Sequence, residues 1–378
     1  MKKLIISLLF IALILPNFSS QLVSNPPDDE NQRKIQLAIL FDTSGSMQGL
    51  LEQAKSRIWS IVNTVGTLEY DDQSPKVELA LYDYGNTGNP EADGFVRQIS
   101  PFTTDLDEIS SLLFSLTTNG GSEFCGTVID KSLKDLKWSQ DPRDMKLIYI
   151  AGNEPFNQGD IDYKKSCENA ANQEIFVSTI YCGNHDTGIL EFWKNGADLG
   201  KGKYFNIDSD KKIQYIKTPY DDSIQKCNIA LNATYISYGR NGERKKAQQI
   251  SQDENAESID KANMVERTMS KSSAVYSNSG WDIIDFVGDD LKKLNSIPEE
   301  ELPETMKGNT DTKNMQLIYE KRKERETIQK EIKELAEKRS NYINKNSESD
   351  NQVDDFGKAI SESVLKFATE KNYKQNNH

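Results

Sequence analysis

The chain has 378 residues, with 46 Lys and Arg against 59 Asp and Glu, so its formal net charge is −13. Such an acidic chain lacks the basic surface that binding to nucleic acid or to an anionic membrane requires, and we exclude both as partners. A chain of this length is also too long for one ordinary domain.

The first 20 residues have the pattern of a cleaved export signal. Lys2 and Lys3 precede an apolar run at residues 4–15, which is followed by Pro16 and the small pair Ser19 and Ser20. The run is shorter than the roughly 20 residues that span a bilayer. We therefore expect residues 1–20 to be removed, and the mature chain to be periplasmic or extracellular without inserting into the membrane. Loss of the two lysines takes the formal charge from −13 to −15.

After a polar segment at residues 21–34, apolar patterning predicts an α/β domain over residues 35–239. The run at residues 35–41 is mostly apolar, which is typical of a buried strand in a parallel sheet. Further strands are predicted at 77–84, 95–99, 145–151, 175–181 and 203–206, and helices at 50–65, 106–116, 128–136, 161–172, 188–197 and 221–231. Strands that alternate with helices need crossover connections, so we predict a mainly parallel, doubly wound sheet.

Residues 240–378 have a different composition, rich in Lys, Glu, Gln, Asn and Ser and without strand-like runs. A long charged helix is predicted at 314–344 and an amphipathic helix, which docks, at 353–368. Pro298 and Pro303 indicate a linker before the long helix. We expect this region to be helical and partly coiled coil or disordered, with helices that pack on the domain or contact a partner.

Four cysteines, Cys125, Cys167, Cys182 and Cys227, remain in the mature chain. In an exported protein an even number permits up to two disulfides, and the spacing leaves their connectivity open. A bridge from Cys125 to Cys167 or to Cys182 would hold the loop that contains Cys125.

The turn after the first predicted strand has an Asp-x-Ser-x-Ser pattern, formed by Asp42, Ser44 and Ser46. A carboxylate and two hydroxyls spaced two residues apart on a tight turn offer three hard oxygen ligands, which suits Mg²⁺. Open α/β sheets bind their ligands at this edge of the sheet. Asp and Ser are also ordinary turn and helix-capping residues, so the context of the motif decides its meaning.

In this chain the motif follows a buried first strand and opens an amphipathic helix in an α/β repeat. Residues 35–238 thereby resemble the von Willebrand factor A (VWA) domain family with its metal-ion-dependent adhesion site (MIDAS). The resemblance implies that Asp42, Ser44 and Ser46 bind Mg²⁺, Mn²⁺ or Ca²⁺. It also implies a vacant position on the ion, which accepts a carboxylate from a protein partner.

Two further loops of the family's metal site have counterparts at residues 119–127 and 150–155. In the first, Glu123 takes the ligand position in one alignment register, and Thr127 takes it in the other. In the second, Gly152 stands where the family has an Asp. Either Asn153 or Glu154 then supplies the oxygen directly or through water, or the site binds its ion more weakly and is closed by a carboxylate of the partner.

Aromatic and polar residues also follow the predicted strands, and they belong either to a recognition surface or to buried loop anchors. They lie in residues 82–86, at Phe156 and Asn157, and in residues 182–186.

We expect no enzymatic activity. Neither a Walker-type phosphate loop nor a Gly-x-Gly-x-x-Gly motif after a strand is present. His185 is the one histidine of the predicted domain, so a nucleophile and base would have to be Cys182 and His185.

Two hypotheses follow. The first is an exported binding or adhesion protein that recognises a protein partner through the metal site, and for which the C-terminal helices are dispensable. The second is a structural or assembly protein with a vestigial metal site, whose helical C-terminal region makes the interactions. Gly152 favours the second.

Overall fold

The structure is a computed structural model that describes residues 32–208, 210–211, 215–346 and 356–375. The predicted signal peptide at residues 1–20 lies outside these residues, as does most of the polar segment that follows it. Within the described part of the chain, no helix is both long and apolar enough to cross a membrane.

Strands and helices alternate through the first half of the chain, and helices fill most of the second half. The strands are β1 (Lys34–Asp42), β2 (Leu68–Glu69), β3 (Lys76–Tyr84), β4 (Arg97–Thr103), β5 (Met145–Gly152), β6 (Ile175–Cys182), β7 (Lys201–Ile207) and β8 (Lys374–Gln375). The α-helices are α1 (Gln48–Gly66), α2 (Leu106–Ser115), α3 (Cys125–Asp135), α4 (Tyr163–Asn172), α5 (His185–Leu190), α6 (Trp193–Leu199), α7 (Asp221–Asn232), α8 (Gly242–Ile259), α9 (Lys261–Lys271), α10 (Ile283–Val287), α11 (Asp311–Asn346) and α12 (Phe356–Glu370). Short 3-10 segments lie at Gly45–Met47, Glu91–Asp93, Leu291–Ser296 and Glu299–Glu301.

Six strands form one sheet in the order β4-β3-β1-β5-β6-β7, with the edge strand β4 antiparallel to β3 and the other neighbours parallel. Side chains of β1 alternate between two apolar cores, with Leu37 on one face of the sheet and Leu40 on the other. The predicted mainly parallel, doubly wound α/β fold is confirmed. Because parallel strands end at the same edge, the turns after β1, β3 and β5 meet there.

Some predicted elements have different bounds. Residues 188–197 form parts of two helices, α5 and α6, because Phe192 between them has a φ of 70°. This left-handed conformation ends a right-handed helix. The strand predicted at 95–99 begins at Arg97 and extends to Thr103. Helices α8 and α9 lie where the sequence indicated either helix or disorder.

Helix α12 covers one face of the sheet. The Phe356 ring lies 5.3 Å from the Phe41 ring of β1, and Phe367 stacks on Phe176 of β6 at 4.6 Å. All four side chains lie in or against the same apolar core. This packing argues against the expectation that the C-terminal helices are dispensable, since loss of α12 would expose this face of the sheet. The apolar face of α12 is likewise already occupied and is no partner surface.

A buried charge network joins α9 to helices on both sides of residue 239. The fully buried guanidinium of Arg267 donates to Asp253 of α8 at 2.5 Å and to Asp107 of α2 at 2.8 Å. It also lies over the ring of Trp59 in α1, 4.4 Å from the ring centroid. A buried charge requires such partners because its desolvation is costly. The described residues from Gln32 onward accordingly cluster as one compact unit.

The four cysteines are free and buried, so the disulfides that the sequence permits are not formed in this structure. Cys125 and Cys167 belong to the core on one face of the sheet, whereas Cys182 and Cys227 belong to the core on the other face. A bridge from Cys125 to Cys182 would have to pass through the sheet.

Substitution of Phe367 by Ala tests the contribution of α12 to the core. We expect Phe367→Ala to lower the free energy of unfolding by about 3–5 kcal/mol, because it removes a fully buried ring. Urea unfolding followed by circular dichroism measures the change.

The matched control is Thr369→Ala, two residues along the same helix, where the side chain is exposed and its hydroxyl donates to the Leu365 carbonyl. It should change the free energy of unfolding by less than about 0.5 kcal/mol. Equal midpoints for the two variants would contradict the assignment of α12 to the core.

Candidate metal centre

The turn after β1 brings a carboxylate and two hydroxyls to the carboxyl edge of the sheet. Asp42, the last residue of β1, is fully buried, and its Oδ1 accepts the backbone N–H of Ser44 at 2.7 Å. The hydroxyl oxygens of Ser44 and Ser46 are 3.2 Å apart. All three residues of the predicted first loop therefore lie together, with Ser46 on the solvent side.

Glu123 lies beside this loop. The Ser44 side chain is close enough to its carboxylate to lower the pKa of Glu123, against the larger opposite effect of burial. A Cβ atom at Gly85 would be 2.7 Å from Cγ of Glu123 and 2.9 Å from Oδ1 of Asp42, so both acidic residues approach one point. Gly85 also has a φ of 78°, which favours glycine, and the close approach leaves no room for a side chain.

Thr127 lies elsewhere. It is on α3, and its methyl group would be 3.0 Å from a Cβ atom at Gly94, in the turn that precedes β4. Of the two residues that the sequence left open, Glu123 approaches the same point as Asp42, whereas Thr127 packs against Gly94.

Asn153 follows β5, and its side-chain Nδ2 and Oδ1 lie 3.3 and 3.5 Å from the hydroxyl of Ser46. It therefore belongs to the same group of side chains. Its amide can turn either atom toward the Ser46 hydroxyl, so its oxygen is available as a ligand.

The place of the family's third-loop Asp is filled by another side chain. A Cβ atom at Gly152 would lie 2.6 Å from the hydroxyl of Tyr84 and 3.1 Å from both Oδ2 of Asp42 and the Trp193 ring. The Tyr84 hydroxyl donates to the Ala151 carbonyl at 2.9 Å, which fixes the ring in this space. Gly152 is thus required by the packing of Tyr84.

The site holds two carboxyl groups that make no ion pair among the described residues. Oδ2 of Asp42 is buried without a hydrogen-bond partner among the described residues. Burial, followed by the nearby charge of Glu123, raises the pKa of Asp42 from 3.8 to about 7. Burial, with a contribution from Glu154, raises the pKa of Glu123 from 4.5 to about 6. A divalent cation would favour the charged form of both groups.

These residues fit a hard divalent cation. Asp42 and Glu123 offer carboxylates, Ser44 and Ser46 offer hydroxyls, and Asn153 offers an amide oxygen, which are ligands of the kind that Mg²⁺, Mn²⁺ and Ca²⁺ take. In the described segments, no three His, Cys, Asp or Glu side chains cluster as metal ligands. A cation bound here would therefore depend on the hydroxyl and amide oxygens as much as on the two carboxylates.

Backbone hydrogen bonds hold the three loops in place. Thr43 donates to the carbonyl of Tyr84 at 2.9 Å, and Gly45 donates to the carbonyl of Gly120 at 2.7 Å. Asn119 donates in turn to the carbonyl of Thr43 at 3.0 Å. The ligand loop is therefore fixed from both sides by backbone contacts, which keeps its oxygen atoms together before any ion binds.

Several edge residues are anchors and not contact residues. Tyr84 and Phe156 are fully buried, so they support the loops from within. Cys182 ends β6 in the apolar core, where burial raises the pKa of its thiol, while His185 is exposed and lies 3.0 Å from Asp186.

The sequence did not single out Gly85, although a glycine directly after a strand that flanks β1 is a usable signal.

The packing of Tyr84 against Gly152 generates a prediction. We expect Gly152→Asp to lower the free energy of unfolding by about 1–3 kcal/mol, because the new Cβ overlaps the Tyr84 hydroxyl. Tyr84→Phe should cost about 1 kcal/mol through loss of the bond to the Ala151 carbonyl.

The double variant distinguishes the cause. Since Tyr84→Phe removes the overlapping atom, the combined loss should fall short of the sum of the two single losses by at least about 0.5 kcal/mol. Urea unfolding of the four proteins in EDTA gives the comparison. Additive losses would show that the Tyr84 hydroxyl is not what excludes a side chain at Gly152.

No protein-family model and no curated protein sequence matches the chain. Solved structures with a similar arrangement include BatB from Bacteroides thetaiotaomicron, at 17% identity and a TM-score of 0.34 over 47% of this chain and 90% of that one. The SpRpn10 VWA domain is 14% identical with a TM-score of 0.35, over 47% and 88% of the two chains. Proximal thread matrix protein 1 from the mussel byssus, with a zinc-occupied MIDAS motif, is 11% identical with a TM-score of 0.36, over 48% and 43%. At such scores these likenesses carry no argument, and the mainly parallel, doubly wound fold of this chain rests on its own strand order and on the helices that cover both faces of its sheet.

Proposed function

We propose that this chain is an exported, non-enzymatic binding protein that captures a protein partner through a divalent cation at Asp42, Ser44, Ser46, Glu123 and Asn153. Bound there, the cation supplies a Lewis-acidic position for a carboxylate of the partner. Mg²⁺ is the first candidate, with Mn²⁺ and Ca²⁺ as alternatives.

The observation that carries this proposal is the buried, unpartnered Oδ2 of Asp42 beside a second carboxylate. A buried carboxylate without a partner is costly, and its neighbour Glu123 adds to the cost. Within the described residues neither group makes an ion pair. A divalent cation is the simplest ligand that offsets both charges at once.

The chain's own residues divide the work. Asp42 and Glu123 supply negative charge, and the Ser44 N–H orients Asp42 by its bond to Oδ1. Ser46 and Asn153 lie on the solvent side of the loop, where a partner approaches. Gly85 has no side chain, and this leaves room for the carboxylates of Asp42 and Glu123 to lie close together.

The proposed absence of catalysis is supported by the position of the one candidate nucleophile. The thiol of Cys182 is buried, and burial raises its pKa, which disfavours the reactive thiolate. The His185 side chain is exposed beside Asp186, as expected of an ordinary surface histidine.

The second candidate function, an assembly protein with a vestigial metal site, is favoured by Gly152. The site lacks the third-loop Asp, and the space for it is filled by Tyr84. On this reading the long helix α11, which exposes Tyr319, makes the interactions. The apolar face of α12 contributes nothing to them, since it is buried against the sheet.

Thermal unfolding of residues 21–378 in EDTA and in each of the three cations decides between the two functions. An ion at 100 times its Kd should stabilise the fold by about 2.7 kcal/mol, which raises Tm by several degrees. Asp42→Ala and Glu123→Gln should each remove most of this rise, because each deletes one of the two carboxylates.

Thr127→Ala is the matched control, since the Thr127 methyl group packs against Gly94. It should keep the full response to the cation. If wild type shows no rise in any of the three cations, the metal-dependent function is refuted and the assembly function gains. A loss of the rise in Thr127→Ala, with its retention in Glu123→Gln, would instead restore the other register of the second loop.

A further inference from the structure

Exposed apolar side chains are concentrated at the edge of the sheet that holds the candidate metal centre. Among the described residues, seven large apolar side chains are exposed, and four of them follow β5 and β6. We call these four residues the apolar ledge: Ile161, Ile189, Leu190 and Phe192. Leu190 is 77% exposed, the highest value of the seven.

The ledge is continuous with the loop that supplies Glu123. A Cβ atom at Gly159 would lie 2.8 Å from the ring of Phe124, the residue after Glu123. A Cβ atom at Gly126 would lie 2.3 Å from the Ile161 carbonyl oxygen. The backbone before α4 is therefore packed directly on the start of α3, one turn from Glu123.

The other end of the ledge is tied to the loop after β5. The Trp193 indole N–H donates to the carbonyl of Glu154 at 2.8 Å, and the Phe156 N–H donates to the carbonyl of Glu191 at 2.9 Å. Glu154 follows Asn153 directly. The ledge thus has a fixed position relative to the proposed ligands, because it is joined to them through both neighbouring loops.

Phe192 occupies a costly backbone conformation. Its φ of 70° lies in the left-handed region that glycine adopts without strain. Its side chain is nevertheless large and 41% exposed, so burial gives back only part of that cost. Strain retained at an exposed aromatic residue points to a role in contact with another molecule.

A shallow cavity of about 320 Å³ lies between Phe192 and residues 157–164. Its rim includes two acidic residues, Asp160 and Asp162, and one basic residue, Lys164 of α4. Glu154 lies on the same loop, where its carboxylate accepts from the Gln158 amide. An acidic rim repels an anionic membrane surface. The same rim repels a partner segment that carries several acidic residues. The partner would therefore offer a single carboxylate, which binds the ion.

We propose that the apolar ledge is a second contact site for the partner that binds the candidate metal centre. The occupant is an extended segment of a partner protein, in which a bulky apolar side chain stands within a few residues of a single metal-binding carboxylate. This inference rests on the proposed function, because the carboxylate on the ion sets the position of the segment.

The test uses two libraries of short peptides displayed on beads, one with a fixed central Asp and one with a fixed central Asn, and with all other positions random. The full mature chain is presented to both in Mg²⁺ and in EDTA. Selection of the Asp library in Mg²⁺ alone tests the metal site. Enrichment of Leu, Ile, Phe or Met at a fixed offset from the Asp, with depletion of a second acidic residue, tests the ledge.

Two variants then measure the contribution of the ledge to the affinity for an enriched peptide. Leu190→Ser should weaken binding about tenfold, as expected for loss of one buried apolar contact. Phe192→Gly should also weaken binding but leave Tm no lower than in wild type, because glycine relieves the backbone strain. The control is Ile229→Ser on α7, which removes a side chain that is 70% exposed away from this edge.

The outcomes separate the two proposals. Selection of Asp with random neighbours, or equal affinity of the ledge variants and the control, overturns the role of the ledge and leaves the metal site standing. Failure of the Asp library to outperform the Asn library overturns the proposed function and this inference with it. Binding to neutral phosphatidylcholine vesicles that Leu190→Ser abolishes would assign the ledge to a lipid surface and overturn the proposed partner.

Discussion

The carboxylate of Asp42 is the constraint on which the arrangement of this edge depends. It ends the central strand of a sheet whose two faces are both covered, so water cannot reach it from either side. One of its oxygens is satisfied by the Ser44 N–H, and the other has no partner in the described chain. Both Gly85, which leaves room for this carboxylate, and Glu123, which adds a second carboxyl group beside it, are arranged around Asp42.

Such a charge is tolerated because the frame around it is held by contacts that lie far from the edge. Helix α12 completes the apolar core beneath β1, and the Arg267 network locks α8 and α9 to α1 and α2. Net stabilities of folded proteins are small compared with their component terms, so a strained site of a few kcal/mol needs this support. The C-terminal helices therefore contribute to the metal site through stability, although none of the proposed ligands lies on them.

The sequence predicted those parts of the fold and site that are encoded locally. The apolar run of β1, the amphipathic α1 and the oxygen ligands between them are contiguous, and periodicity predicts them. The choice between Glu123 and Thr127 depends on which of them faces Asp42, 81 or 85 positions earlier in the numbering, and local spacing does not contain that information. The exclusion of a side chain at Gly152 by Tyr84 is equally non-local. The helix break at Phe192 could not be predicted, because the residues on both sides of it have a helical pattern. Helix α8 shows little apolar periodicity, because part of its buried face is polar and contacts Arg267.

An ion and an apolar ledge at one edge of the sheet would together make the binding of a partner specific. A cation that accepts a carboxylate discriminates poorly between partners, because almost every protein surface offers an Asp or a Glu. Discrimination then has to come from contacts next to the ion, where an apolar side chain gains from burial and an extra acidic residue meets Asp160 or Asp162. The acidic rim, on a chain whose net charge is −13, would thus restrict the partner segment to a single acidic residue beside a bulky apolar one. The ion would provide the affinity common to all acidic ligands, and the ledge would select among them.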